Sequence, residues 1–383
     1  MKEKIVIYAD NAATTKLDDE AFEAMIPWLR NNYGNPSAQY SFSREGRKAI
    51  AIAREIIADC INATTDEIFF TSGGTESDNW AIKGVSLYNK LNNEGKQGEI
   101  ITSMFEHHAV LKACNTLERL GGAVTYLPVT KNGFVDLNIL KDTINNSTQL
   151  VTIMLANNEI GTIQPINNFV EIAHKYGAYF HTDAVQAVGH VDVNVNDLGV
   201  DLLSASAHKF YGPKGVGFLY VHKGTKILSY LDGGSQEKKM RAGTENVANI
   251  VGMAVALKNC IKGLKENTKH LTLISDCFYH ELDKLGIEYI INGDKEQRIP
   301  GNVNISIKNS NSEILLHRLD LKGIYIAVGA ACDSKNTKLS HVIKAIKVPR
   351  KYAEGTLRIS FGNNNTIADG KMIATAISKI LAR

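Results

Sequence analysis

Seven short apolar runs, mostly separated by helix-length segments, constrain the fold of this chain more than any other feature. They are Glu67–Thr71, Glu99–Ser103, Ala123–Leu127, Gln149–Leu155, Ala178–Thr182, Asp201–Ser206 and Val216–Val221. Several lack strict apolar–polar alternation, as strands covered on both faces do. Alternating strands and helices of this kind predict a doubly wound α/β sheet. Ligands in such sheets bind beyond the carboxyl ends of the strands. The chemically distinctive residues lie there: Gly73-Gly74-Thr75, His107, Asn158, Asp183 and Ser206–Lys209 each end or follow a predicted strand.

Beyond Gly233-Gly234 the pattern changes. Helical stretches over Val247–Lys265 and Leu271–Leu285 lead to strands at Tyr289–Asn292 and Asn302–Ile307. Helices follow near Glu313–Leu319, Ser340–Ile346 and Ile367–Leu381. This predicts a second, smaller α+β domain beginning near residue 260, and 383 residues suffice for about two domains. Lys90–Gly98 and Asp333–Lys338 read as polar loops. No apolar run approaches the ~20 residues of a membrane span. Met1–Asp10 is too short in its apolar part for a signal peptide and reads as a first strand, so a cytoplasmic protein is expected. The net charge of +3 is spread along the chain and leaves no footprint for nucleic acid. Cys60, Cys114, Cys260, Cys277 and Cys332 are scattered, without C-x-x-C or zinc-ligand spacing, so free thiols and no metal site are expected.

Five segments carry candidate chemistry. Phe69–Ser77 reads as strand, glycine turn and helix start, which suits either an anion site at a helix N-terminus or an ordinary βα turn. In Ser204–Gly217, Lys209 stands between a His and a Gly-Pro-x-Gly turn, just after an apolar run. Asp183 ends the strand Ala178–Thr182, where it is a helix N-cap or a buried acid, and Gln186 follows one turn later. A lysine that forms a Schiff base and an acid that pairs with a pyridinium nitrogen are what pyridoxal-phosphate enzymes require. His107 follows another strand, where imidazole can take and give a proton near neutral pH. Arg358, in Gly355–Gly362, can bind a carboxylate through two parallel hydrogen bonds.

In this order, Thr71-Ser-Gly-Gly-Thr-Glu-Ser77, Glu106-His-His108, Asn157-Asn-Glu-Ile-Gly161, Ser206-Ala-His-Lys-Phe-Tyr-Gly-Pro-Lys-Gly215, Gly233–Asn246 and Leu357-Arg-Ile-Ser360 resemble the class V aminotransferase group of fold-type I pyridoxal-phosphate enzymes. Within that group the chain is most similar to cysteine desulfurases of the NifS/IscS type, over nearly its whole length. The resemblance implies a large cofactor domain at 13–260, with 1–12 joining 261–383 in a small domain. It implies that Gly74 and Thr75 hold the cofactor phosphate, with Ser206 and His208 on its other side. Lys209 would form the Schiff base and Asp183 would face the ring nitrogen. Gln186 and Asn158 would approach the phenolic oxygen, and His107 would stack on the ring. Arg358, Asn158 and Asn35, the last in Gly34-Asn-Pro-Ser37, would meet the substrate. Thr244 would reach the cofactor phosphate of a second subunit, which implies a homodimer.

Cys332, in Gly329-Ala-Ala-Cys332, differs from Cys60 and Cys277, which fall on helical stripes. By itself it suits a small buried hydrophobe at a strand end. The resemblance makes it the catalytic thiol that receives sulfur from L-cysteine, leaving L-alanine and a persulfide. That sulfur would pass to an iron–sulfur scaffold or tRNA-thiolation protein. The segment departs from the family at Val328, Ala330 and Asp333, and a carboxylate beside the thiol disfavours the thiolate. A cysteine β-lyase or selenocysteine lyase on the same scaffold is the alternative.

Overall fold

A computed structural model describes residues 6–92, 98–328 and 339–382. All seven expected strands form one sheet. In chain order, β1 is Ile7–Tyr8, and the sheet comprises β2 (Ile68–Thr71), β3 (Glu99–Ser103), β4 (Val124–Leu127), β5 (Thr148–Thr152), β6 (Tyr179–Asp183), β7 (Leu202–Ser206) and β8 (Gly217–Val221). The strand order is β2-β8-β7-β6-β5-β3-β4. Every pairing is parallel except those of β8, which runs antiparallel to both β7 and β2. The short link from Ser206 to Gly217 explains the reversal, because a parallel return needs a crossover of about a dozen residues or more. That link carries Lys209.

Consecutive residues along each strand enter different cores. Ile68, Phe70, Ile101, Val151, Leu203, Phe218 and Tyr220 join one hydrophobic cluster. Phe69, Ile100, Leu150, Leu202 and Leu219 join another with Trp80 and Val110 from two helices. Both faces are therefore covered, which is why the runs read as continuously apolar. On the first side, the helix Arg44–Cys60 buries Ala49, Ile50, Ala53 and Ile57 at helical spacing. It packs on Val247–Lys262, as does Asp19–Arg30, whose start is capped by Asp18 accepting from Ala21 N.

The rest of the chain builds a second core around β9 (Tyr289–Ile291), β10 (Asn302–Ile307), β11 (Ile324–Tyr325) and β12 (Thr356–Ser360). The antiparallel order is β12-β10-β9, and β1 pairs with β11 in parallel. Strand β11 was not among the expected elements, and a strand at Arg358 was expected only as the setting of a surface arginine. The second long helix starts at Leu264, not near Leu271, and only Gly263 separates it from its predecessor, at a bend of 72°. The polar stretch Glu266–His270 carries no apolar period, yet it forms the first turns of this helix. Residues 342, 343, 346 and 353, late in the chain, pack against the first core. Among the described residues no single helix is long and apolar enough to cross a membrane.

Candidate active site

The β7–β8 link holds Lys209 by its backbone. Ala207–Lys209 is a turn of 3-10 helix, and Tyr211 takes a left-handed φ of 61°. Gly212 passes so close to Ala207 that a Cβ there would lie 2.8 Å from the Ala207 Cβ. His190 Nε2 donates to the Lys209 carbonyl at 2.8 Å. The Lys209 ammonium reaches back to the segment after β1, donating to Ala12 O at 2.6 Å and Ala13 O at 2.8 Å. Gln186 Nε2 donates to the same Ala12 carbonyl at 2.9 Å. Lysine and glutamine, 23 residues apart in sequence, thus converge on one atom.

A cavity of about 440 Å³ opens beside them, lined by Ala13, Thr14, Gly73, Gly74, Thr75, Ser206 and His208 among others. Its floor is the start of the helix Gly74–Asn92, whose first N–H groups have no intrahelical partner. Gly73 has φ +144°, and a Cβ on it would meet Ser206 Oγ at 3.3 Å. A Cβ on Gly74 would overlap Val185 Cγ2 at 2.5 Å. His208 is tied through Nδ1 to Thr14 Oγ1 at 3.2 Å. Burial and the Lys209 charge bring its pKa down to about 4. The cradle admits a phosphate where any side chain would fill it, so these residues fit the phosphate of pyridoxal phosphate.

The ring side is built from buried acids. Asp183 ends β6 at 4% exposure, and its Oδ1 accepts from Val185 N at 2.9 Å. Burial raises its pKa to about 6, against the pull of Lys209. Asp78, Asp183 and His107 each bring one polar side-chain atom within 4.8 Å of the others. Burial, then the nearby Asp183 charge, push Asp78 well above the carboxylate range. Glu106 is fully buried and rises to about 8, although Ser103 Oγ and Met154 N donate to it. His107 caps the helix His108–Arg119, its Nδ1 accepting from Ala109 N at 3.2 Å. Burial and Lys209 lower it to about 4, so the ring is neutral near pH 7 and carries its proton on Nε2. Sequence reading assigned no role to Asp78, Glu106 or the Asp10–Thr15 segment.

Arg358 is 2% exposed on β12, and its Nη2 donates to Asp10 Oδ1 at 2.7 Å. Its Nη1 donates to Asn158 O at 3.3 Å, and its Nε is buried without a partner among the described residues. Asn158, Arg358 and the strand leading to Ala12 therefore meet. Asn35 and Thr244 are not part of this group. Asn35 is exposed and accepts from Ser37 N at 2.9 Å, and Thr244 is also exposed. The loop holding Thr244 is pinned to its own chain. Glu237 grips Arg54 at 2.6 and 2.8 Å, Arg241 grips Glu76 at 2.8 and 3.1 Å, and Glu237–Lys239 are all left-handed. Cys332 lies outside the described residues. Of the other thiols, burial raises Cys60 to about 11 and Cys114 and Cys260 to about 12.

Residues 7–371 match the family model of class-V aminotransferases. The cysteine desulfurase IscS of Dictyoglomus turgidum is 50% identical, covering 98% of this chain and 95% of that protein. Among solved structures, a NifS-like protein superposes with a TM-score of 0.92 at 37% identity, covering 99% of this chain and 100% of its own. SspA in complex with cysteine superposes with a TM-score of 0.82 at 34% identity, covering 93% and 99%. The chain belongs to the class-V aminotransferase family, in its cysteine desulfurase branch.

Proposed function

We propose that the protein is a pyridoxal-phosphate-dependent desulfurase that takes sulfur from L-cysteine and leaves L-alanine. The observation that carries this reading is the convergence of Lys209 Nζ and Gln186 Nε2 on Ala12 O, beside the glycine cradle and within electrostatic reach of buried Asp183. Gly74, Thr75, Ser206 and His208 would hold the phosphate, Asp183 the ring nitrogen, and Gln186 and Asn158 the phenolic side. When bound, the cofactor supplies a ring that draws electrons from the substrate's α-carbon.

The remaining work falls to the chain. Arg358 binds the substrate carboxylate, for which its buried Nε is a spare donor. Lys209 is the amine that holds the cofactor and then moves the α-proton. His107, neutral, covers the ring and donates from Nε2. The Cys332 thiolate attacks the substrate sulfur: an S–S bond forms, the carbon–sulfur bond breaks, and the electron pair left on the β-carbon takes a proton to give alanine. The sulfur stays on Cys332 as a persulfide, ready for an iron–sulfur scaffold or a tRNA-thiolation protein. We further propose a homodimer in which the exposed Thr244 serves the partner's site. The division into 13–260 and 1–12 with 261–383 is likewise a proposal, supported by Ile7 and Ala9 packing in the second core.

The protein purified with pyridoxal phosphate is expected to show a visible absorbance band from the lysine-linked cofactor. Lys209→Ala should lose it while keeping the fold. A band unchanged in Lys209→Ala would overturn the assignment.

A further inference from the structure

A second cavity, of about 340 Å³, shares no lining residue with the cofactor cradle. One wall is the helix Leu264–Lys284, which turns Thr268, Thr272, Ser275, Asp276 and Tyr279 toward it. These positions lie on one helical face. A helix normally gives such a polar stripe to solvent, but here it faces the segment 291–302.

That segment carries Arg298. Its Nε donates to Asp294 O at 2.7 Å, Nη1 to Asn302 O at 3.3 Å, and Nη2 to Asn292 O. These are main-chain carbonyls, which orient the guanidinium without neutralising it. Arg54, Arg241 and Arg358 each grip a carboxylate, whereas Arg298 has none within 4.0 Å among the described residues. Three bonds also leave two of its five N–H groups unused. Beside it, Tyr279 Oη and Asn302 Oδ1 are buried with no hydrogen-bond partner among the described residues. Tyr279 and Arg298 are electrostatic neighbours: burial raises the phenol while the guanidinium pulls it down. Buried polar groups left unmatched are costly and rare in folded proteins.

The walls are already ordered. Ile299 N donates to Gly161 O at 3.0 Å and Ile163 N to Gln297 O at 2.9 Å. Gly161, at φ +74°, has no room for a side chain, since a Cβ would stand 2.7 Å from Asn302 Oδ1. A ligand would therefore meet a site whose ordering is complete. The charge pattern selects the ligand. The Arg298 cation and the Tyr279 phenol can both donate, which suits a carboxylate, whereas the Ser275 hydroxyl already donates to Leu271 O at 3.0 Å. The exposed acids Asp276 and Glu296 line the same cavity with the exposed Lys295, and the acids suit an ammonium group. A group that carries both charges matches this mixed lining of two cations and two acids better than a phosphate dianion does.

We propose that this cavity binds a small free α-amino acid, its carboxylate on Arg298 and Tyr279 and its ammonium group toward Asp276 and Glu296. The test is isothermal titration of the cofactor-loaded protein with L-alanine, while the cofactor absorbance is followed in parallel. The wild type should show two classes of site, one that changes the absorbance and one that does not. Arg298→Met should lose only the silent class, and Tyr279→Phe should weaken it about tenfold, the usual cost of one lost hydrogen bond. The absence of a silent class in the wild type, or a silent class that both variants retain, would overturn the proposal. Tighter silent binding of inorganic phosphate than of L-alanine would overturn the ligand class. Tyr279→Phe removes one oxygen from the protein, so the test survives if Arg298→Met does not fold.

Discussion

The two sheets prepare their sides of the site by opposite means. The seven-stranded sheet supplies groups whose charge is set by burial: Asp183, Asp78 and Glu106 are pushed up, and His107 and His181 are pushed down. His181 sits behind Asp183 without charge, bonded to Thr152 Oγ1 at 2.7 Å and Ser204 Oγ at 3.0 Å. The three-stranded sheet supplies Arg358, which is just as buried and is paired with the Asp10 carboxylate at 2.7 Å. Low dielectric disfavours a charge that is incompletely compensated and strengthens the attraction within an ion pair. A ring nitrogen that must share a proton needs the first environment, and a substrate carboxylate that must be gripped needs the second.

Substitutions on each side should separate the two. The largest effect is expected from Asp183→Asn, which leaves the glycine cradle intact but gives the ring nitrogen no acid. Turnover should vanish while the visible absorbance persists, as spectra and product assays would show. Substantial turnover in Asp183→Asn would mean that Asp78 can replace it. Next comes Arg358→Met. Loss of charge-assisted hydrogen bonds worth about 1.5–3 kcal/mol should lower kcat/KM for L-cysteine about 10- to 100-fold. The cofactor spectrum should stay unchanged, and turnover lost as completely as in Asp183→Asn would erase the distinction between the sides.

The smallest effect concerns stability alone. Glu106 has an ordinary pKa of 4.5 and about 8 when folded. Between those values the folded chain keeps a proton that the unfolded chain has released. Its contribution is therefore complete below the unfolded value and is lost as pH rises through the folded one. Stability between about pH 5 and 8, followed by melting curves, should fall more steeply for wild type than for Glu106→Gln, which has no proton to lose. Parallel curves would show that Glu106 is ionised in the folded chain.

The same contrast governs how much the sequence revealed. The large sheet was legible because each strand is a local apolar run between two helical layers. The cradle, Lys209 and Asp183 were legible because they sit at strand ends. Asp78 had a local signal that went unused: Ala81, Ile82 and Val85 follow at helical spacing, so it shares their buried stripe. The Arg358–Asp10 pair had none, since its members lie 348 residues apart and each reads alone as a surface charge. The burial of β12 was missed for the same reason, because its Thr356, Arg358 and Ser360 depend on partners elsewhere in the fold.

The most direct test of the central claim is to mix the cofactor-loaded protein with L-cysteine and a reductant, and to quantify alanine, sulfide and pyruvate together. Desulfuration through Cys332 predicts alanine equal to sulfide, no pyruvate, and loss of both products in Cys332→Ala. Pyruvate accompanying sulfide, or full sulfide release by Cys332→Ala, would contradict it.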